Sequence, residues 1–217
     1  MPRTTTLVSL DRRQRRSRAA LRQALLDLIG EQTYGSITVD QIVERADVGR
    51  ATFYGHYGDK DELLRELSDE LIGEAAQRAT APDPTAEPGT YSGRAAAEII
   101  GHAGEHPVLY GLVITGGGGP APRAQLVSTL CDAVAETFAD VSAGWRRTPR
   151  IAPEITAVAF TGALLGVIEA WLAGDLRGTP EELAAVFMHG QVDGLRWALG
   201  LPADALAFKR PKSRRHE

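Results

Sequence analysis

Arg50 and Tyr54 stand one helical turn apart in the stretch TVDQIVERADVGRATFYGHYGDKDE (residues 38–62), and both can read the edge of a base. The arginine guanidinium is a planar fork that can donate two parallel bonds to guanine O6 and N7. Tyr54 can reach a base edge, a thymine methyl or a phosphate. Thr38, Thr52, His56 and Lys60 are candidate phosphate contacts; Lys60 stands where a helix begins, and exposed amides there make an anion site. Ala51 and Gly55 are small enough to let a helix lie close to base edges, and Gly49 precedes that helix. Phe53 and Tyr57 lie four apart, opposite the polar face, and are expected to be core.

Such side chains work only if the backbone presents them. Thr38 followed by Gln41 has the spacing of a capping box. Val39, Ile42, Val43 and Ala46 then fall on one helical stripe. Asp47 and Gly49 flank a turn around Val48, and Arg50 to Tyr57 form a second short helix. Asp59 and Glu62 repeat the box for the helix after it. Two helices about a tight turn suit a major groove, which admits one α-helix. Upstream, a helix from about Arg12 to Glu31 carries Leu21, Ala24, Leu25 and Leu28 on one face, a roof for this unit. Tyr34-Gly35 is a turn. From Lys60, Leu63, Leu64, Leu67 and Leu71 mark a helix reaching about Arg78.

The stretch resembles the DNA-binding end of the TetR family of transcriptional regulators. The resemblance lies in Ile37-Thr38-Val39, in Ala46-Asp47-Val48-Gly49-Arg50, in Thr52-Phe53-Tyr54 with His56-Tyr57, and in Asp59-Lys60-Asp61-Glu62-Leu63-Leu64. It covers about residues 12 to 67. Two positions depart: Asp47 stands where the family usually has Gly, and Gly49 where it has Ser or Thr. Asp tolerates left-handed backbone, and Gly is an acceptable N-cap. A hydroxyl contact to phosphate is lost at Gly49.

The net charge of −4 divides unevenly. Residues 1–60 hold ten Lys or Arg against seven Asp or Glu, residues 61–208 nine against twenty, and the tail from Lys209 is basic again. A basic end on an acidic body orients a chain on a polyanion. The single Cys131 excludes an intramolecular disulfide framework and fits a reducing compartment. The polar, arginine-rich N-terminus lacks the apolar segment of a secretory signal, so a cytoplasmic location is expected.

Downstream the pattern stays helical, with segments at about Ser92–Glu105, Pro107–Thr115, Pro122–Val141, Pro153–Ala173 and Pro180–Leu199. No alternating strand pattern occurs. The fold class is all-α: a three-helix DNA-binding domain with a helix-turn-helix, then a helical domain that the family resemblance implies is for ligand binding and dimerisation. The expected organisation is a disordered arm at 1–10, DNA binding at 11–58, a connecting helix at 59–79, an effector and dimer domain at 80–202, and a basic tail at 203–217. Residues 155–172 are apolar for nearly a membrane span, but Glu169, Thr156 and Thr161 interrupt them, so a buried bundle helix is expected instead. Gly162, Gly166 and Ala170 permit close helix contact. The resemblance implies that the last two long helices pair with a second copy, giving a homodimer on a palindromic double-stranded operator. It also implies that a small-molecule effector releases the DNA.

His102, His106, Tyr110, Phe160, Glu169 and Trp171 are candidates to line that effector's pocket. His102-Ala103-Gly104-Glu105-His106 also fits H-x-x-E-H, in which two His share a zinc ion and Glu is general base. Gly104 weakens the helix, Pro107 follows, and no third ligand is marked. No catalytic residue, metal or cofactor is therefore assigned, although the two histidines could hold a structural or regulatory ion. Gly116 to Gly119 lacks the Lys-Ser or Lys-Thr of a phosphate loop and is expected to be a connection. The expected function is a DNA-binding transcriptional repressor released by a ligand, and not an enzyme. The alternatives are a zinc-dependent hydrolase through His102, Glu105 and His106, and an architectural DNA-binding protein without an effector.

Overall fold

The computed structural model describes residues 4–81 and 93–201; most of the proline-rich loop at 80–91 and the tail at 203–217 lie outside them. Among the described residues nine α-helices follow in order: α1 (Thr4–Glu31), α2 (Val39–Arg45), α3 (Arg50–Tyr54), α4 (Lys60–Thr80), α5 (Arg94–Glu105), α6 (Pro107–Thr115), α7 (Pro120–Gly144), α8 (Pro153–Leu172) and α9 (Pro180–Ala198). No strand occurs among the described residues. The helix expected from about Arg12 begins at Thr4, so the segment expected as an arm is helical from there. Nothing from Thr4 to Leu28 is Gly or Pro, so no residue stops the helix growing back from its packed half.

The chain divides into two compact units, one of residues 1–71 with 108–122, the other of 72–107 with 123–217. The boundary falls within α4. In the N-terminal unit Leu21, Leu25 and Leu28 of α1 are buried, together with Ile42 and Val43 of α2, Phe53 of α3 and Leu63, Leu64, Leu67 and Leu71 of α4. Leu109, Tyr110, Val113 and Ile114 of α6 are buried too. The Gly116–Gly119 segment is the expected connection; Gly116 and Gly119 take positive φ, 74° and 96°, where a Cβ is strained.

In the second unit α5 buries Ala96, Ile99, Ile100 and Ala103 and packs on α8 and α9. Phe138, Phe160 and Phe187 meet edge to face, with centroids 5.4 and 4.9 Å apart, and tie α7, α8 and α9 together. Pro153 and Pro180 open their helices in the first turn, where a missing N–H costs nothing. Thr179 and Glu182 complete a capping box for α9 that the sequence reading did not mark. The α8 helix is long and apolar enough by length and composition to cross a membrane, yet only 33% of its most apolar window is buried within the chain. As a bundle helix, α8 buries one face, with Ala157, Phe160, Leu164, Leu165 and Ile168, and leaves the other face exposed.

Candidate nucleic-acid interface

Local chemistry builds the reading surface. Thr38 Oγ1 accepts the Gln41 N–H, and Gln41 Oε1 accepts the Thr38 N–H at 2.8 Å, so both halves of the capping box form. This satisfies two of the donors that a helix start leaves unpaired. Asp47 ends α2 with φ 51°, and Val48 N–H returns to Val43 O at 3.0 Å. Gly49 caps α3 with extended backbone and no side-chain bond; a Cβ there would meet nothing within 4 Å. The α3 helix ends at Tyr54, sooner than the sequence suggests, because Gly55 caps it.

Phe53 is fully buried and Tyr57 nearly so, as their spacing predicts. They fix the back of α3 and leave its front outward. Arg50, Ala51, Tyr54 and Gly55 are exposed on that front. Tyr54 keeps 58% of its surface accessible although its ring meets Phe53 edge-on. The Arg50 guanidinium is paired with Asp40 of α2.

The expected phosphate contacts have other attachments. His56 Nε2 lies 2.7 Å from Ser17 Oγ of α1. Thr38 uses its hydroxyl in the cap, and Thr52 is half-buried. Lys60 is directed inward: its Nζ donates to the carbonyls of Tyr34 at 2.9 Å and Ile37 at 2.7 Å, with Gly35 at 3.5 Å, and sits 4.6 Å from the Tyr34 ring centroid. In this conformation Lys60 staples the turn before α2 to the start of α4. Burial and the bond to Asp61 push the Tyr34 phenol up. The Asp59 cap forms through Glu62 N–H at 2.7 Å, while the Glu62 carboxylate takes Gly58 N–H instead of its capping partner's.

The basic N-terminal helix is divided in the same way. Arg18 and Arg22 turn toward α4. Arg18 is paired with Glu66 and donates to Tyr57 Oη at 3.3 Å; Arg22 reaches Glu66 at 3.4 Å and pairs with Glu70. Burial would raise the Glu66 carboxyl, but the Arg18 and Arg22 charges and the Tyr57 hydroxyl hold it below the usual carboxylate range. Arg12, Arg13 and Arg16 are exposed on α1. Arg13, Arg16 and Ser17 line an open groove whose other wall is Asp47, Gly49, Thr52 and His56. Sequence reasoning did not include Arg13, Arg16 and Ser17 in the site. Their spacing on one face of α1 was the available signal.

The candidate effector residues do not form one group. Tyr110 belongs to the N-terminal unit and the other five to the second. Phe160 is buried in the aromatic contact with Phe138 and Phe187, and Glu169 is exposed on α8. Trp171 lies against α5, where a Cβ on Gly104 would be 2.8 Å from its ring; this explains a glycine inside that helix. His102 is fully buried with Nε2 3.1 Å from Glu74 Oε2 of α4. Burial lowers its affinity for a proton, partly countered by Glu74. The Glu105 carboxylate is gripped by both Arg78 nitrogens, at 3.0 and 2.6 Å. It is therefore not poised as a base beside His102 and His106, which removes the hydrolase reading.

Residues 21–67 match the family described as Bacterial regulatory proteins, tetR family. Over 59 residues the chain is 46% identical to the HTH-type transcriptional regulator YxbF of Bacillus subtilis (strain 168); the match covers 27% of this chain and 16% of that one. The chain thus spans about a sixth of that curated relative's length. Among solved structures it resembles a TetR transcriptional regulator from Streptococcus agalactiae (TM-score 0.62, 20% identity, 85% of this chain and 98% of that one). It also resembles NalD, described as the secondary repressor of the MexAB-OprM multidrug efflux pump in Pseudomonas aeruginosa (TM-score 0.65, 18% identity, 83% and 97% covered). The fold and the outward face of α3 give the chain a helix-turn-helix. Its DNA-binding domain belongs to the TetR family of transcriptional regulators, and the rest of the chain has that family's fold.

Proposed function

We propose that the chain is a dimeric repressor that reads a palindromic operator through α3 and releases it when a small molecule binds the second unit. The observation that carries the reading is the construction of α3. A buried Phe53 and Tyr57 lock its back, while Arg50 and Tyr54 face outward one turn apart. Arg50 exchanges Asp40 for guanine O6 and N7, Tyr54 contacts a neighbouring base edge, and the α1 groove with Arg13 and Arg16 takes the phosphate backbone. Thr38, Thr52 and His56 flank this path. Lys60 supports it from behind by holding the turn at Tyr34–Ile37.

The outer faces of α8 and α9 support a homodimer. Ile155, Val158, Ala159, Gly162, Ala163 and Gly166 are exposed on α8, and Val186, His189, Gly190, Asp193, Gly194 and Trp197 on α9. Each set recurs every three to four residues, so each forms one stripe. Small residues at the centre let helices approach, and the large apolar ones lose water on pairing. Such a dimer presents two α3 helices roughly 34–36 Å apart, one turn of DNA. A cytoplasmic location accords with binding and release at an operator.

Binding titrations of wild type and Arg50→Ala against operator variants test the reading. Arg50→Ala is expected to cost ~1–3 kcal/mol and to relax preference at one base position. Equal losses against every sequence would overturn Arg50 as the reader.

A further inference from the structure

His102 and His106 are on consecutive turns at the end of α5, with ring centroids 4.8 Å apart. Both present Nε2 to the same atom, Glu74 Oε2 of α4, at 3.1 and 3.9 Å. The three ligand atoms lie within 4.8 Å of one another. Tetrahedral zinc with ligands at about 2.0–2.1 Å sets neighbouring ligand atoms roughly 3.3 Å apart, and the two measured separations bracket that value. We propose that Glu74, His102 and His106 form a binding site for a divalent transition-metal ion of the zinc type.

The chemistry of the donor set selects the ion. Two imidazoles and one carboxylate suit Zn²⁺, Co²⁺ or Ni²⁺, whereas Mg²⁺ and Ca²⁺ want oxygen alone. His102 is fully buried on a packed helix, so one ligand is fixed before the ion arrives; His106 and Glu74 are about half-exposed and give the ion its entry. The neighbouring positive charge is already matched, because Arg78, one turn from Glu74 on α4, is gripped by Glu105. That pair also takes the carboxylate that a zinc hydrolase would use as base, so the ion binds without catalysing. It clips the second half of α4 to the end of α5, entirely within the second unit.

The test is calorimetric titration of the untagged, chelator-treated full chain with Zn²⁺, alongside His106→Ala, Glu74→Gln and a control, Glu136→Gln, exposed on α7. We expect one ion per chain, at least tenfold weaker binding in His106→Ala and Glu74→Gln, and unchanged binding in the control. Both informative positions are half-exposed, and unchanged circular dichroism shows that the variants fold. Co²⁺ substituted at the same stoichiometry is expected to give the visible absorption of a tetrahedral nitrogen–oxygen site, lost in both variants. No saturable binding, or one-ion binding that survives His106→Ala and Glu74→Gln, would overturn the site. No arm uses DNA, so the result is independent of operator recognition.

Discussion

The Arg50 guanidinium pairs with Asp40 in the free chain, so the base reading proposed for Arg50 would begin with an exchange of partners. Both side chains are well exposed, and such a pair adds little to stability. In that reading its cost would fall on binding, since Asp40 would compete with guanine and repel phosphate. Asp40→Asn should therefore tighten DNA binding by ~1 kcal/mol at low salt, with less gain at high salt, as measured by fluorescence anisotropy. Lys60 makes the opposite case. Three carbonyls and the Tyr34 ring hold its ammonium, so Lys60→Met should lower unfolding stability by ~1–3 kcal/mol in urea titrations. The dependence of DNA affinity on salt should keep its slope; a slope reduced by about one would show that Lys60 grips a phosphate after all. Asp47 carries left-handed backbone at φ 51°, where Gly is at ease, and Asp47→Gly should stabilise by about 0.5–1 kcal/mol.

At the level of helices, the arginines of α1 show how a sequence count misleads. Arg18 and Arg22 contribute to the basic N-terminus on paper, yet both are spent on Glu66 and Glu70 of α4. The carboxyl of Glu66 titrates near 4.5 when unfolded and lower when folded. Its contribution is therefore complete above about pH 4.5 and is lost as the pH falls through the folded value. Glu66→Gln should flatten the loss of thermal stability between about pH 5 and pH 3, measured by melting over that range. Helix positions were legible because the signals are local: caps at Thr38 and Asp59, prolines at Pro107, Pro153 and Pro180, and leucines at helical spacing. Phe53 and Tyr57 were legible as core for the same reason. The partners of Lys60, His56 and Glu105 were not, because they come from Ile37, Ser17 and Arg78, on segments whose approach no local pattern encodes. The pairing of His102 and His106 was visible in the string, but its third group, Glu74, lies on another helix.

Across the whole molecule, acidic bulk and basic end are consistent with a protein that meets DNA by one surface. The stripes on α8 and α9 leave Ile155, Val158, Val186 and Trp197 outside, apolar surface that a second copy would cover. The double variant Val158→Asp with Val186→Asp should sediment as a monomer at concentrations where wild type is a dimer, and should lose cooperative operator binding. Regulation from an operator, as proposed, requires sequence-specific reading by a pair of α3 helices. Selection of bound duplexes from a random DNA pool by the purified protein tests it directly. The predicted result is an inverted repeat whose half-sites are about one helical turn apart, with one guanine position that loses its enrichment in Arg50→Ala. Enrichment of no sequence, or of a motif left unchanged by Arg50→Ala, would contradict it.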